Sequence, residues 1–155
     1  MGAQRALGWS PTPPEEVEAV LAGLVDRVTR RMRAAGRVGR TVMLRLRFDD
    51  SSRATRSHTL PRATADTRTI LLTAAGLLDG AWPLIRRQGI TLVGVAVGNL
   101  DRHGSVQLPL PFDPHDGAAL DAALDEVRDR YGSSAVMRAA LLRRGEGLSV
   151  PLLPD

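Results

Sequence analysis

Two hydrophobic rhythms alternate along this chain, and the switches between them mark its elements. In "TPPEEVEAVLAGLVDRVTRRMRAAG", Val17, Val20, Leu21, Leu24, Val28 and Met32 recur at helical spacing. Thr12 with Glu15 three residues on reads as a capping box, Pro13 falls at the first helical position and Gly36 is a stop, so a helix is expected over about 13–35. The period then changes to two. In "RTVMLRLRF", Val42, Leu44, Leu46 and Phe48 take one face, and Thr41, Met43, Arg45 and Arg47 the other. "DDSS" reads as a turn, and "RATRSHTL" as a second strand in which hydroxyls alternate with Arg53, Arg56 and His58, which closes a hairpin.

A second helical pattern follows in "TADTRTILLTAAGLLDG", with Ile70, Leu71, Ala74, Leu77 and Leu78 on one face, until Trp82-Pro83 breaks it and a short turn runs through Leu84 to Arg87. "ITLVGVAVGNL" is a strand rich in β-branched residues, and "MGAQRALG" is a short extended candidate at the start. The order β-α-β-β-α-β predicts an α+β fold, a four-stranded antiparallel sheet with both helices on one face. After it, "LDAALDEVRDRYG" and "SAVMRAALLRR" read as two short amphipathic helices of a C-terminal tail, with Leu120, Leu124, Val127 and Tyr131 aligned on the first; "GEGLSVPLLPD" reads as loose. This divides the chain into a domain over 1–100, a linker over 101–117 and a helical tail over 118–155. There is no internal repeat.

Composition narrows the function classes. The 155 residues are 43% hydrophobic, enough for a core, but 3% aromatic, so that core must be Leu, Val and Ala. The absence of cysteine excludes disulfide scaffolds, Cys-based zinc sites and thiol catalysis. No apolar run approaches the roughly 20 residues of a membrane span and the N-terminus lacks a signal-peptide core, so the expected location is cytoplasmic with no membrane partner. The net charge is +4, and all 21 basic residues are arginine. Arginine forks match phosphate geometry and lean toward nucleic acid; a codon bias replacing lysine everywhere gives the same composition, so the arrangement of the arginines has to decide.

Catalysis finds no home in the sequence. Asp49-Asp50 could be a carboxylate pair for metal, but adjacent strand residues point to opposite faces, and "FDDSSR" is better read as turn chemistry. His58, His103 and His115 lack ligand spacing, "GVAVGN" lacks the turn of a dinucleotide fingerprint and "RRGEG" is no phosphate loop, so neither a metal nor a cofactor is expected. The hairpin is more informative. Arg45 and Arg47 lie opposite the buried face, and Arg53, Thr55, Arg56, Ser57 and Thr59 are expected to continue that surface. Arginine and hydroxyl donors on a helix-free sheet face suit phosphates along a duplex backbone, without the aromatic platform that single-strand stacking needs. The alternative is a solvated sheet face. "QLPLPF" poses a separate choice: Pro109 and Pro111 keep Leu108, Leu110 and Phe112 from a central strand, so the segment is either an irregular buried edge or a peptide displayed for a partner.

The ordered set "GAQRAL", "GRTVMLRLRFDD", "TRSHTLPRATADT" and "ITLVGVAVGNL" resembles the little finger (polymerase-associated) domain of Y-family DNA polymerases, most closely the DNA polymerase IV group. "QLPLPF" is similar to that family's sliding-clamp-binding motif, and "LDEVRDRYGSSAVMRAALL" to a segment after the motif in some actinobacterial-type members. The resemblance implies a module that grips primer-template DNA through Arg45, Arg47, Arg53, Thr55, Arg56, Ser57 and Thr59, and binds the bacterial sliding clamp through Gln107, Leu108, Leu110 and Phe112. It implies a role in DNA repair and damage bypass, with the catalytic remainder of the polymerase as a further partner and no polymerase site here; the chain would be a fragment or a stand-alone relic. Two departures stand out. Thr91 replaces an arginine often found before the last strand, and Ser51 replaces an aromatic that often follows the hairpin turn. The rival reading is a clamp-interacting protein that uses only the 107–112 motif and the tail helices, without significant DNA binding.

Overall fold

In the computed structural model, which describes residues 1–8, 12–102 and 117–137, the elements run β1 (Gly2–Ala6), α1 (Pro14–Ala34), β2 (Arg37–Arg47), β3 (Arg53–Thr64), α2 (Thr67–Asp79), α3 (Trp82–Gln88), β4 (Leu92–Arg102) and α4 (Ala118–Tyr131). The four strands form one antiparallel sheet in the order β1-β4-β2-β3. This is the expected α+β arrangement.

Helix α1 begins one residue later than its capping signal suggests. Pro13 is the N-cap and Pro14 occupies the first turn, where a missing N–H costs nothing. Glu15 and Glu16 sit at its start and Arg31 and Arg33 at its end, each sign matched to the helix dipole. Gly36, at φ 59, supplies the left-handed residue that turns the chain into β2.

The core lies between the helices and one sheet face. Val17, Leu21, Val25, Val28 and Met32 of α1 and Ile70, Ala74 and Leu78 of α2 pack on Val42, Leu44 and Leu46 of β2 and Val93, Val95 and Val97 of β4. Phe48, 2% exposed, is the one fully buried aromatic ring among the described residues. The β2–β3 ladder is interrupted between Gly39 and Thr41. Arg40 spans the gap there, its guanidinium donating to the carbonyls of Leu60 at 3.2 Å and Pro61 at 3.1 Å. Gly39 is required at this point because a Cβ would collide with Val97 Cγ1 and lie 3.0 Å from Leu100 Cδ2.

The tail departs from expectation. The stripe Leu120, Leu124, Val127 and Tyr131 does not become the buried face of α4: Leu120 is 65% and Tyr131 67% exposed, whereas Asp121 and Arg128 are buried. A second helix from about residue 134 is not seen either; residues 133–136 form a turn, and the rest of that expected helix lies outside the described residues.

Candidate nucleic-acid interface

Strand pairing decides which side chains share a face, because residues directly opposite in an antiparallel ladder point the same way. Arg45 pairs with Thr55, Met43 with Ser57, Thr41 with Thr59 and Arg47 with Arg53, and all of these stand on the face turned away from the helices. Across the other ladder, Thr41, Met43, Arg45 and Arg47 meet Gly98, Ala96, Gly94 and Leu92 of β4, followed by Gly2, Gln4 and Ala6 of β1. No carboxylate is among them.

The surface has a definite relief. Arg45, Arg47, Arg53, Thr55, Ser57 and Thr59 line its β2–β3 side, with all three arginines exposed. Beside them β4 contributes the small residues Gly94, Ala96 and Gly98, the first two buried among their neighbours and the third next to Met43 Cε. The guanidinium groups are held near one another by register alone. Arg47 and Arg53 are direct cross-strand neighbours and Arg45 is two residues further along β2. Like charges opposed on a ladder are destabilising, and an anion between them offsets that repulsion with its attraction to both. None of the three arginines is in an ion pair among the described residues.

Arg56 does not belong to this face. It pairs with Leu44, on the side that carries the helices, together with His58 opposite Val42 and the buried Leu60. It remains exposed because β3 is an edge strand. The alternation of side chains, which cannot put Thr55, Arg56 and Ser57 on one surface, overrules the expected grouping.

The hairpin tip is held by hydrogen bonds instead of an aromatic side chain. Asp50 Oδ1 accepts from the Ser52 amide at 2.9 Å, Ser51 sits at φ 65, and the Phe48 amide donates to the Ser52 carbonyl at 3.0 Å. Hydrogen bonds from the side chain and backbone of Ser52 hold the Asp50 carboxyl below the usual carboxylate range. Thr91 is likewise absorbed locally. Its hydroxyl donates to the carbonyls of Arg47 at 3.2 Å and Phe48 at 3.3 Å, pinning the start of β4 to the end of β2 beside the arginines.

The opposite side of the domain carries a charge cluster that sequence reading missed. Arg33 donates to both carboxylate oxygens of Asp125 at 2.6 and 3.0 Å, to Asp121 Oδ2 at 3.0 Å, to Thr67 Oγ1 at 2.9 Å and to the Ala65 carbonyl at 3.0 Å. Asp121 also accepts from the Thr67 amide at 2.8 Å, so α4 lends a carboxylate to the first turn of α2. Arg128 pairs with Asp26 at 2.9 Å and Arg30 with Asp129 at 2.6 Å. Burial pulls the Arg33 guanidinium down, but its hydrogen bond to Asp125 and the charges of Asp121, Asp125 and Asp26 together hold it above its ordinary value. These acids are matched by arginines on the helix side, whereas Arg45, Arg47 and Arg53 leave the helix-free face cationic.

Residues 1–110 match the impB/mucB/samB family C-terminal domain. The chain belongs to this family. Its curated relatives include DNA polymerase IV 2 of Mesorhizobium japonicum, 36% identical over 87% of this chain, and DNA polymerase IV of Moorella thermoacetica, 37% identical over 83%. The chain corresponds to 36% and 32% of those two relatives' lengths. Among solved structures, the fold is similar to the little finger domain of PolIV in a complex with the beta-clamp processivity factor, with TM-score 0.51 and 24% identity over 72% of this chain and 97% of that one. It is also similar to Dbh DNA polymerase in a post-insertion binary complex, with TM-score 0.55 and 11% identity over 63% of this chain and 28% of that one. In this member of the family the four-stranded sheet has one helix-free face, and that face is cationic. The motif residues Gln107, Leu108, Leu110 and Phe112 lie outside the described residues.

Proposed function

We propose that this chain is the DNA-gripping and clamp-tethering module of an error-prone translesion DNA polymerase, with the polymerase active site on another part of that enzyme. One observation carries the DNA-gripping half. Arg45, Arg47 and Arg53 are brought together by strand register on a helix-free face without carboxylates, beside a row of hydroxyls and the small residues of β4. Such a face grips phosphates without reading bases, which suits a module that must hold damaged and undamaged primer-template alike. Thr55, Ser57 and Thr59 add neutral donors along the same backbone track. Arg56, on the far side of the edge strand, is at most a peripheral contact.

The tethering half rests on Gln107, Leu108, Leu110 and Phe112 and on the solved complex of a related little finger with a beta-clamp. Gln107 hydrogen-bonds at the lip of the clamp's cleft, Leu108, Leu110 and Phe112 fill it, and the two prolines lower the cost of ordering the peptide. Residues 1–100 form the gripping unit, 101–117 the linker with the motif and 118–155 the tail. Nucleotide transfer is assigned to the catalytic remainder of the polymerase, because this chain matches a C-terminal domain and corresponds to 36% and 32% of the two relatives' lengths.

A salt titration tests the reading. Duplex affinity should be indifferent to sequence and fall steeply with salt, while clamp affinity, carried by apolar anchors, should fall far less. DNA affinity that does not change with salt would remove the phosphate-gripping half and leave a clamp-binding protein.

A further inference from the structure

The cationic end of the helix-free face has a neutral counterpart at its other end. Thr41 and Thr59 are cross-strand partners there, with their hydroxyl oxygens 3.3 Å apart, and the Asn99 side chain donates through Nδ2 to Thr41 Oγ1 at 2.8 Å. A chain of side-chain hydrogen bonds thereby runs from β4 across β2 to β3.

Asn99 reaches this network only by breaking the alternation of β4. Val93, Val95 and Val97 are buried on the helix side, and counting on by two would send Asn99 there as well. Its backbone is instead left-handed, at φ 50, and its exposed side chain meets Thr41, which stands opposite Gly98 and Thr59 on the helix-free face. Asparagine is among the few non-glycine residues that accept this conformation, and such residues cluster at ligand-binding sites.

The network has hydrogens to spare. The Asn99 amide carries two, of which Thr41 takes one. Thr41 and Thr59 share a single hydroxyl hydrogen whichever of them donates, so the other hydroxyl hydrogen is left over. Neither spare hydrogen has an acceptor among the described residues. Two neutral donors side by side suit an anionic oxygen. Thr41 lies four residues from Arg45 and six from Arg47, about 13 and 20 Å along β2. Each DNA strand carries one phosphate per roughly 3.4 Å of duplex axis, so a duplex lying along β2 and held at the arginines also has phosphates over Thr41.

We propose that Asn99, Thr41 and Thr59 form a second, neutral phosphate contact at the far end of the cationic face, where Asn99 Nδ2 and one threonine hydroxyl donate to the DNA backbone. The contact rests on the DNA-gripping reading of this face and gives that grip a length of about 20 Å. Asn99 is its positioning residue, because the left-handed backbone brings the amide across to the DNA side.

Salt separates the two kinds of contact, because a neutral donor releases no counterion. Asn99→Gly keeps a residue at ease at φ 50 and removes the amide, and Thr41→Val keeps the branched shape and removes the hydroxyl. In the full chain, each should weaken binding of a short labelled duplex about three- to ten-fold on any sequence. The slope of log K against log salt and the urea midpoint should stay close to the parent's. A flattened slope, or a loss of affinity that follows a lowered urea midpoint, would mean that the network only shapes the sheet and would overturn the proposal. Parent-like affinity in both variants, while Arg45→Ala/Arg47→Ala/Arg53→Ala flattens the slope, would also overturn it and leave the cationic grip standing alone. A triple variant that keeps the parent's slope would defeat the DNA reading itself, and this contact with it.

Discussion

Replacing Arg33 with alanine tests whether α4 is held by charges. The side chain is 18% exposed and serves four acceptor groups, the carboxylates of Asp121 and Asp125, Thr67 Oγ1 and the Ala65 carbonyl. Its loss strands Asp121, whose side chain is 8% exposed, with the Thr67 amide as its remaining hydrogen-bond partner. Removing one member of a fully buried pair costs about 3–5 kcal/mol, because the other charge stays desolvated. Asp125 keeps 18% exposure, so solvent screening brings the figure here to roughly 2–4 kcal/mol. The global loss is capped by the free energy of releasing α4, since an undocked helix returns both carboxylates to water. Arg30→Ala is the control: its partner Asp129 is 72% exposed, and the pair is worth about 0–1 kcal/mol. Urea denaturation gives the totals, and amide exchange gives the order of events, with α4 and the first turn of α2 losing protection before the sheet. Equal costs for Arg33→Ala and Arg30→Ala, or unchanged protection in α4, would refute a charge-held helix.

Gly39→Ala should cost about 1–3 kcal/mol in thermal or urea unfolding, because the new methyl falls on Val97 in a packed core. At the hairpin tip, the depressed Asp50 carboxyl contributes order that is present above its unfolded-state range and lost as pH falls through its lower folded-state value; a pH titration of Ser52 amide shifts should show this step, and Asp50→Asn should remove it. Leu110→Ala with Phe112→Ala should abolish clamp binding measured by surface plasmon resonance while leaving unfolding and DNA binding unchanged; an unfolded double variant would instead make the segment part of the core.

The sheet was legible where its alternation was strong. β2 buries Val42, Leu44 and Leu46 against two helices, so period-two reading assigns both of its faces. β3 is an edge strand with one buried apolar residue, Leu60, and without a hydrophobic face its hydroxyls and arginines look like a single surface. The missed signal was parity, since counting back by twos from Leu60 sends His58 and Arg56 to the helix side. The tail was misread for a different reason. Its apolar stripe obeys helical spacing, but the energetically decisive partner of Asp121 and Asp125 lies about ninety residues away on α1, and long-range charge pairing leaves no local periodicity. Thr91 and Ser51 read as losses against the family pattern; the structure gives the first two carbonyl partners and the second a place in a hydrogen-bonded turn.

Salt-dependent duplex binding by two variants tests the central claim most directly. Arg45→Ala/Arg47→Ala/Arg53→Ala empties the cationic face, whereas Arg56→Ala removes another exposed arginine from the opposite side of the same hairpin. Removing one arginine–phosphate pairing flattens the slope of log K against log salt by about 0.9, so the triple variant should flatten it by up to about 2.7 on any duplex sequence. Arg56→Ala should leave slope and affinity close to those of the parent. A triple variant that keeps the parent's slope, or an Arg56→Ala variant that loses as much, would contradict a DNA grip on this face.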